Sequence, residues 1–168
     1  MPYMHIHLGG VALGFAIVLA VLLRWAMKEK HRLAALVPFV LALLYGILAA
    51  LAALSSWSLL GATTWVALWA GNVAGYAALV WGVGGESPDV TRAQQIVLTP
   101  GGHVIVLLLT VLMVALLRWG PAQHKGKLLW GVLSGILIAL SGTIAGIAAV
   151  PLGSGVNLAG AAFTEMFG

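Results

Sequence analysis

Few side chains in this sequence are able to do chemistry, and their spacing narrows the field further. His5 and His7 stand close to Met1 and Met4, and His103 opens a later apolar run. Imidazole with thioether suits copper, and histidines facing each other across helices hold haem iron. No histidine falls in the middle of an apolar run, so haem held between helices is not expected. His5, His7 and His103 are left as weak candidates for a surface metal. His31 and His124 sit in basic turns and read as part of a surface facing lipid headgroups. Acid–base work would have to draw on Glu29, Glu86, Asp89 and Glu165, the complete set of carboxylate side chains. An intramembrane hydrolase built on Ser134 or Ser141 would need a base, and none is near either in sequence. The patterns His-Glu-x-x-His, Gly-x-Ser-x-Gly and a glycine-rich phosphate loop are all missing. Without cysteine there is neither a thiolate ligand nor a disulfide. The expectation is a protein that is not an enzyme and carries no cofactor and no resident metal.

Ionisable groups inside a membrane usually mark a proton or ion path. None lies near the middle of any long apolar run, which counts against a proton-coupled exporter. Asn72 is the strongest polar group at depth, and Thr63, Thr64 and Gly71 are close to it in sequence. These residues are the candidates for a polar path. The plainer alternative is an asparagine that bonds to a neighbouring helix.

The chain that must position these groups is one that lipid has to surround. Of its 168 residues 62% are hydrophobic and 7% charged, and the mean hydropathy is +1.09. A water-soluble domain of this length needs more polar surface, so the expected class is an all-α polytopic integral membrane protein. A bilayer core takes about 20 apolar residues per helix. Apolar runs of that order fall at 6–25, 33–54, 59–83, 103–119 and 128–150. A polar connection, 84–102, divides the third from the fourth. In it Glu86-Ser87-Pro88-Asp89 reads as a turn, Val90 to Leu98 as a short amphipathic piece, and Pro100-Gly101-Gly102 as a break. Pro38 falls early in the second run, and Pro151 is expected to stop the last one. The tail, 155–167, places Ala159, Ala162, Phe163, Met166 and Phe167 on one helical face, as an interfacial or partner-docking helix would. All of this forms a single membrane domain over 1–168.

Part of the pattern repeats. Gly9-Gly10 opens the first run and Leu23-Arg24-Trp25 closes it; Gly101-Gly102 and Leu117-Arg118-Trp119 do the same for the fourth. A basic turn follows each. Two similar helix–basic turn–helix hairpins therefore flank a central segment. The N-terminus has no Lys or Arg ahead of its apolar run, unlike a cleavable signal peptide. Its positive charge comes afterwards, which places the N-terminus outside and the first turn in the cytoplasm of a bacterial inner membrane. Arg24, Lys28, Lys30, Arg32, Arg118, Lys125 and Lys127 are the residues that set this topology against the headgroups. If the central segment spans, five helices cross, the hairpins oppose each other, and Lys and Arg divide five against three. If it is re-entrant, four helices cross, both turns share one side, and the division is seven against one. Apolar length, with Trp57 and Trp81 as brackets, favours five spans; charge favours four. A bundle of five is the expected fold, with four plus a re-entrant segment as the alternative.

The clearest constellation consists of small residues. Gly71, Gly75, Ala78 and Gly82 recur at steps of three and four, as do Gly131, Gly135, Ala139, Gly142 and Gly146. Such stripes let helix backbones approach closely. They serve either the inside of the bundle or a contact between subunits. The expected function is a non-catalytic membrane subunit: a structural or accessory component of an envelope membrane complex, or a homo-oligomer. Its partners would be the lipid bilayer and other membrane-protein subunits or copies of itself, and not nucleic acid. The alternatives are a small pore or passive transporter, holin-like or a channel, and a membrane component of a conjugative DNA-transfer system.

Overall fold

A computed structural model of the chain describes residues 7–29, 31–55, 58–90, 98–139 and 144–167. Among them are six α-helices: α1 (Leu8–Lys28), α2 (Leu33–Ser55), α3 (Leu59–Tyr76), α4 (Pro100–Trp119), α5 (Ala122–Ile138) and α6 (Ile144–Phe167). A π-helical segment, Ala77–Gly82, prolongs α3. At a rise of 1.5 Å per residue the 21 residues of α1 reach about 31 Å, the thickness of a bilayer core. Among the described residues, α1, α2 and α4 are long and apolar enough to cross a membrane.

Helix boundaries follow local chemistry. Ser58 caps α3 by accepting from the Gly61 amide at 3.0 Å, and Thr99 caps α4 by accepting from Gly102 at 3.1 Å. Pro100 occupies the first turn of α4, where its missing donor costs nothing, so it begins the helix where a break was expected. The basic run His124 to Lys127 is likewise helical, in the first turns of α5, and not part of a turn. The run 128–150 is not one helix. The first part ends at Ile138, and the rest joins the tail 155–167 in a single helix, α6, with Pro151 inside it. The tail is thus the end of a long packed helix, and Pro151, which was expected to stop the last run, does not. A proline costs a helix one backbone bond, which packing against neighbouring helices offsets. The amphipathic piece Val90 to Leu98 lies mostly outside the described residues.

The centre of the bundle is the α2–α5 pair, running parallel. Gly131 packs on Phe39 and Ala42, and Gly135 on Leu43 and Gly46, so the two helices rise in register. A methyl group on Gly131 would stand 2.7 Å from the Ala42 methyl, closer than carbon atoms approach. Phe39 and Ala42 are almost wholly excluded from solvent along this seam, as are Ser134 and, on the face of α5 toward α1 and α3, Leu137. Around the pair, α1 packs on α3 and α5, while α4 packs on α6 and α2.

Neighbours in sequence are therefore not the main neighbours in space. Among the described residues α1 hardly touches α2, and α4 hardly touches α5. The two hairpins do not close as antiparallel pairs: α2 and α5 join the halves, while α1 and α4 pack on α3 and α6 of their own halves, α1 also reaching α5. The physical reason lies in which faces carry small residues. Leu60, in the first turn of α3, packs against the clusters of Ala42, Tyr45, Ala49 and Met113 at mid-length of α2 and α4. The last turn of α3 reaches the N-terminal end of α1. The central segment thus starts partway along its neighbours instead of at their ends.

Candidate functional site

Two helix crossings repeat in the molecule and organise its chemistry. At the first, Gly9 of α1 lies on Gly75 of α3, and Gly10 lies on the Asn72 side chain. At the second, Gly101 of α4 lies on Gly160 of α6, and Gly102 lies on the Asn157 side chain. A methyl on Gly9 would be 2.6 Å from the Gly75 carbonyl carbon, and one on Gly101 would be 2.7 Å from that of Gly160. Only glycine permits this approach, which brings Cα–H groups against carbonyl oxygens. Asn72 is buried, and Asn157 accepts hydrogen bonds from the Thr99 amide at 2.9 Å and the Thr99 hydroxyl at 3.1 Å.

The repeated unit is accordingly three helices, not a hairpin. Helix α6 is the counterpart of α3, and the central segment is not unique. The signal was present in the sequence as Asn-x-Ala-Gly-x-Ala, at Asn72–Ala77 and again at Asn157–Ala162. The hydrophobic face of the tail does not include Asn157 or Gly160, so amphipathic spacing alone does not mark them.

The two crossings end differently. Beyond the π-helical segment the chain returns over the start of α1. There the Leu8 amide donates to the Pro88 carbonyl at 2.9 Å and the Gly9 amide to the Ser87 hydroxyl at 3.0 Å. These bonds occupy two of the four amides that every helix start leaves unpaired. His7 Nδ1 lies 2.9 Å from Asp89, and its ring meets Tyr76 edge-on, with Trp81 against Tyr76 in turn. His103, at the second crossing, bonds through Nδ1 with the Thr99 carbonyl at 2.9 Å. The two histidines serve separate crossings, and His5 lies outside the described residues. Among those residues, no three His, Asp or Glu side chains converge as a metal site would need.

Opposite these crossings is the basic end. Lys127, near the start of α5, donates to the Glu29 carboxylate at 2.6 and 2.8 Å and to the Ala35 carbonyl at 2.6 Å. The first basic turn and the basic start of α5 thus meet at one end of the bundle, contrary to the opposed hairpins of a five-helix arrangement. Arg24 and Trp25 of α1 face Gln123, Lys127 and Trp130 of α5 across a cavity of about 130 Å³. Lys28, Arg32, Arg118 and Lys125 belong to the same two turns, and Lys30 lies outside the described residues.

The residues suggested for a polar path have different neighbours. Asn72 and Gly71 belong to the first crossing, where Gly71 packs on Leu137. Thr63 and Thr64 border a second cavity, of about 280 Å³, with Tyr45, Met113 and Leu133. Beside it Tyr45 donates to Thr110 at 3.0 Å, while Thr63 donates to the Leu60 carbonyl. Gly75, Gly131 and Gly135 are spent inside the bundle. A methyl on Gly82 would meet only the Ala77 carbonyl oxygen, at 4.0 Å, Gly142 lies outside the described residues, and Gly146 falls within α6. Ser134 is wholly buried and donates to the Gly131 carbonyl.

No protein-family model, no curated protein and no solved structure matches this chain. Its function has to be argued from the geometry alone.

Proposed function

We propose that the protein is a non-catalytic membrane subunit, a structural or accessory component of an envelope complex or a homo-oligomer. One observation carries this reading. Gly71, Gly75, Gly131 and Gly135 pack within the chain, while α3 turns a bulky face outward: Trp65, Val66, Trp69 and Val73 are exposed at helical spacing. Tryptophan prefers the headgroup level, and away from it such a face suits another helix better than lipid. Contact with partner subunits would use this face, not the glycine stripes. In this reading the basic end is cytoplasmic, because seven of the eight Lys and Arg gather there in sequence. The N-terminus then faces outward across a bacterial inner membrane.

A second reading, a passive pore or transporter, has its own support. Two three-helix units with parallel central helices match a recurring transporter plan, with binding between the halves. The cavity beside Thr63, Thr64 and Tyr45 lies at that junction. One pair of experiments separates the two. A structural subunit co-purifies with partners or itself after mild detergent extraction, and Trp65→Ala/Trp69→Ala abolishes the association. It leaves dye-loaded liposomes sealed. Leakage from those liposomes, with association unchanged in the double variant, would replace the first reading by the second.

A further inference from the structure

We propose that the cavity between the end of α1 and the start of α5 binds the phosphate of an anionic phospholipid headgroup, with Arg24 as its principal ligand. The proposal rests on the reading that this end of the bundle lies at headgroup depth. Its walls come from both halves of the chain: Arg24, Trp25 and Glu29 on one side, Gln123, Lys127 and Trp130 on the other. At about 130 Å³ it has room for one phosphate group, not for a whole lipid.

The charges are unequally committed. Lys127 is held by both oxygens of Glu29 and by the Ala35 carbonyl. Arg24 makes no hydrogen bond or ion pair with any described residue. Two cations against one carboxylate leave the cavity one positive charge, carried by the side chain best shaped for phosphate. A guanidinium offers paired donors that match two phosphate oxygens. Gln123 also lines the cavity, its amide nitrogen 3.4 Å from His124 Nε2.

Val21, Trp25, Leu36 and Trp130 give the cavity its apolar lining. The Trp25 indole donates to the Arg32 carbonyl at 2.8 Å, and His31 packs edge-on against it with ring centroids 5.1 Å apart. His31 itself adopts a left-handed backbone, φ 57°, to make this turn. Trp130, in the cavity lining, is more than half exposed and offers acyl chains a surface to follow. Free phosphate shares the anion chemistry but gains nothing from that surface. Basic pockets between membrane helices recognise headgroups in this way.

The test compares the intact protein with Arg24→Gln and Arg24→Lys, purified in a neutral detergent. Each is titrated with phosphatidylglycerol, with phosphatidylcholine and with inorganic phosphate, and thermal unfolding and retained lipid phosphorus are measured. We expect phosphatidylglycerol to stabilise the parent protein more than phosphatidylcholine does. Arg24→Gln should bind it about five-fold more weakly, the loss expected for one surface cation. Arg24→Lys should fall between. Equal stabilisation of the parent and Arg24→Gln would overturn the site. So would an equal response to inorganic phosphate, which would make it a free-anion site. Labelling of Lys28→Cys in cells reports the membrane placement separately: an unaltered topology with no lipid preference removes only this proposal.

Discussion

Lys127 and Glu29, 98 residues apart in sequence, form an ion pair with Nζ–O distances of 2.6 and 2.8 Å, its side chains 18% and 22% exposed. The pair ties the first turn to the start of α5. It joins the halves of the molecule at one end, as the α2–α5 glycine seam joins them at the centre.

Removing one partner would leave a half-buried charge. Lys127→Ala is expected to destabilise the protein by about 1–3 kcal/mol, less than a fully buried pair because water still reaches both groups. Thermal unfolding in detergent measures this. The exchange Glu29→Lys/Lys127→Glu should recover part of the loss, whereas a double variant no better than the singles would mean the contact is incidental.

The meeting of the first basic turn and the basic start of α5 makes a topological prediction. The protein lacks native cysteine, so Lys28→Cys and Lys125→Cys can each be probed in intact cells with an impermeant maleimide. Both positions should be protected from outside and labelled after permeabilisation. Labelling of Lys125→Cys from outside would separate the turns and sink this arrangement.

The glycine crossings are expected to be intolerant of a single methyl. Gly75→Ala and Gly160→Ala each push a Cβ into the opposing backbone, and overpacking of that kind costs about 1–3 kcal/mol. Gly126→Ala meets open space on an exposed stretch of helix and should be neutral, or stabilising by up to about 1 kcal/mol. Equal effects at Gly126 and Gly160 in a thermal shift assay would contradict the crossing.

Asn157 stabilises the start of α4 from a distance of 58 residues in sequence. Asn157→Leu leaves the Thr99 amide without that acceptor and should cost about 1–2 kcal/mol, within the range of a lost helix cap. Hydrogen exchange at the first turn of α4 should rise at the same time. Unchanged protection there would show that water replaces the asparagine without loss.

Much of this protein was legible without coordinates. Hydropathy alone marks α1, α2 and α4, because lipid demands long apolar runs whose backbone bonds close internally. Glycine spacing marked Gly71, Gly75, Gly131 and Gly135 as close-packing positions, and Gly9-Gly10 and Gly101-Gly102 as a repeat. What the sequence could not assign was partners. A glycine stripe states that some backbone approaches, but no local rule says which, so α1 was paired with α2 when its partners are α3 and α5. The splitting of 128–150 was hidden for a related reason, since hydropathy is blind to a change of direction within apolar chain. Apolar length favours five spans and so puts the two basic runs on opposite sides, because hydropathy does not register where a helix starts relative to its neighbours. Only the tertiary structure, by setting Lys127 on Glu29 and Asn157 on Thr99, decided how the two halves are joined.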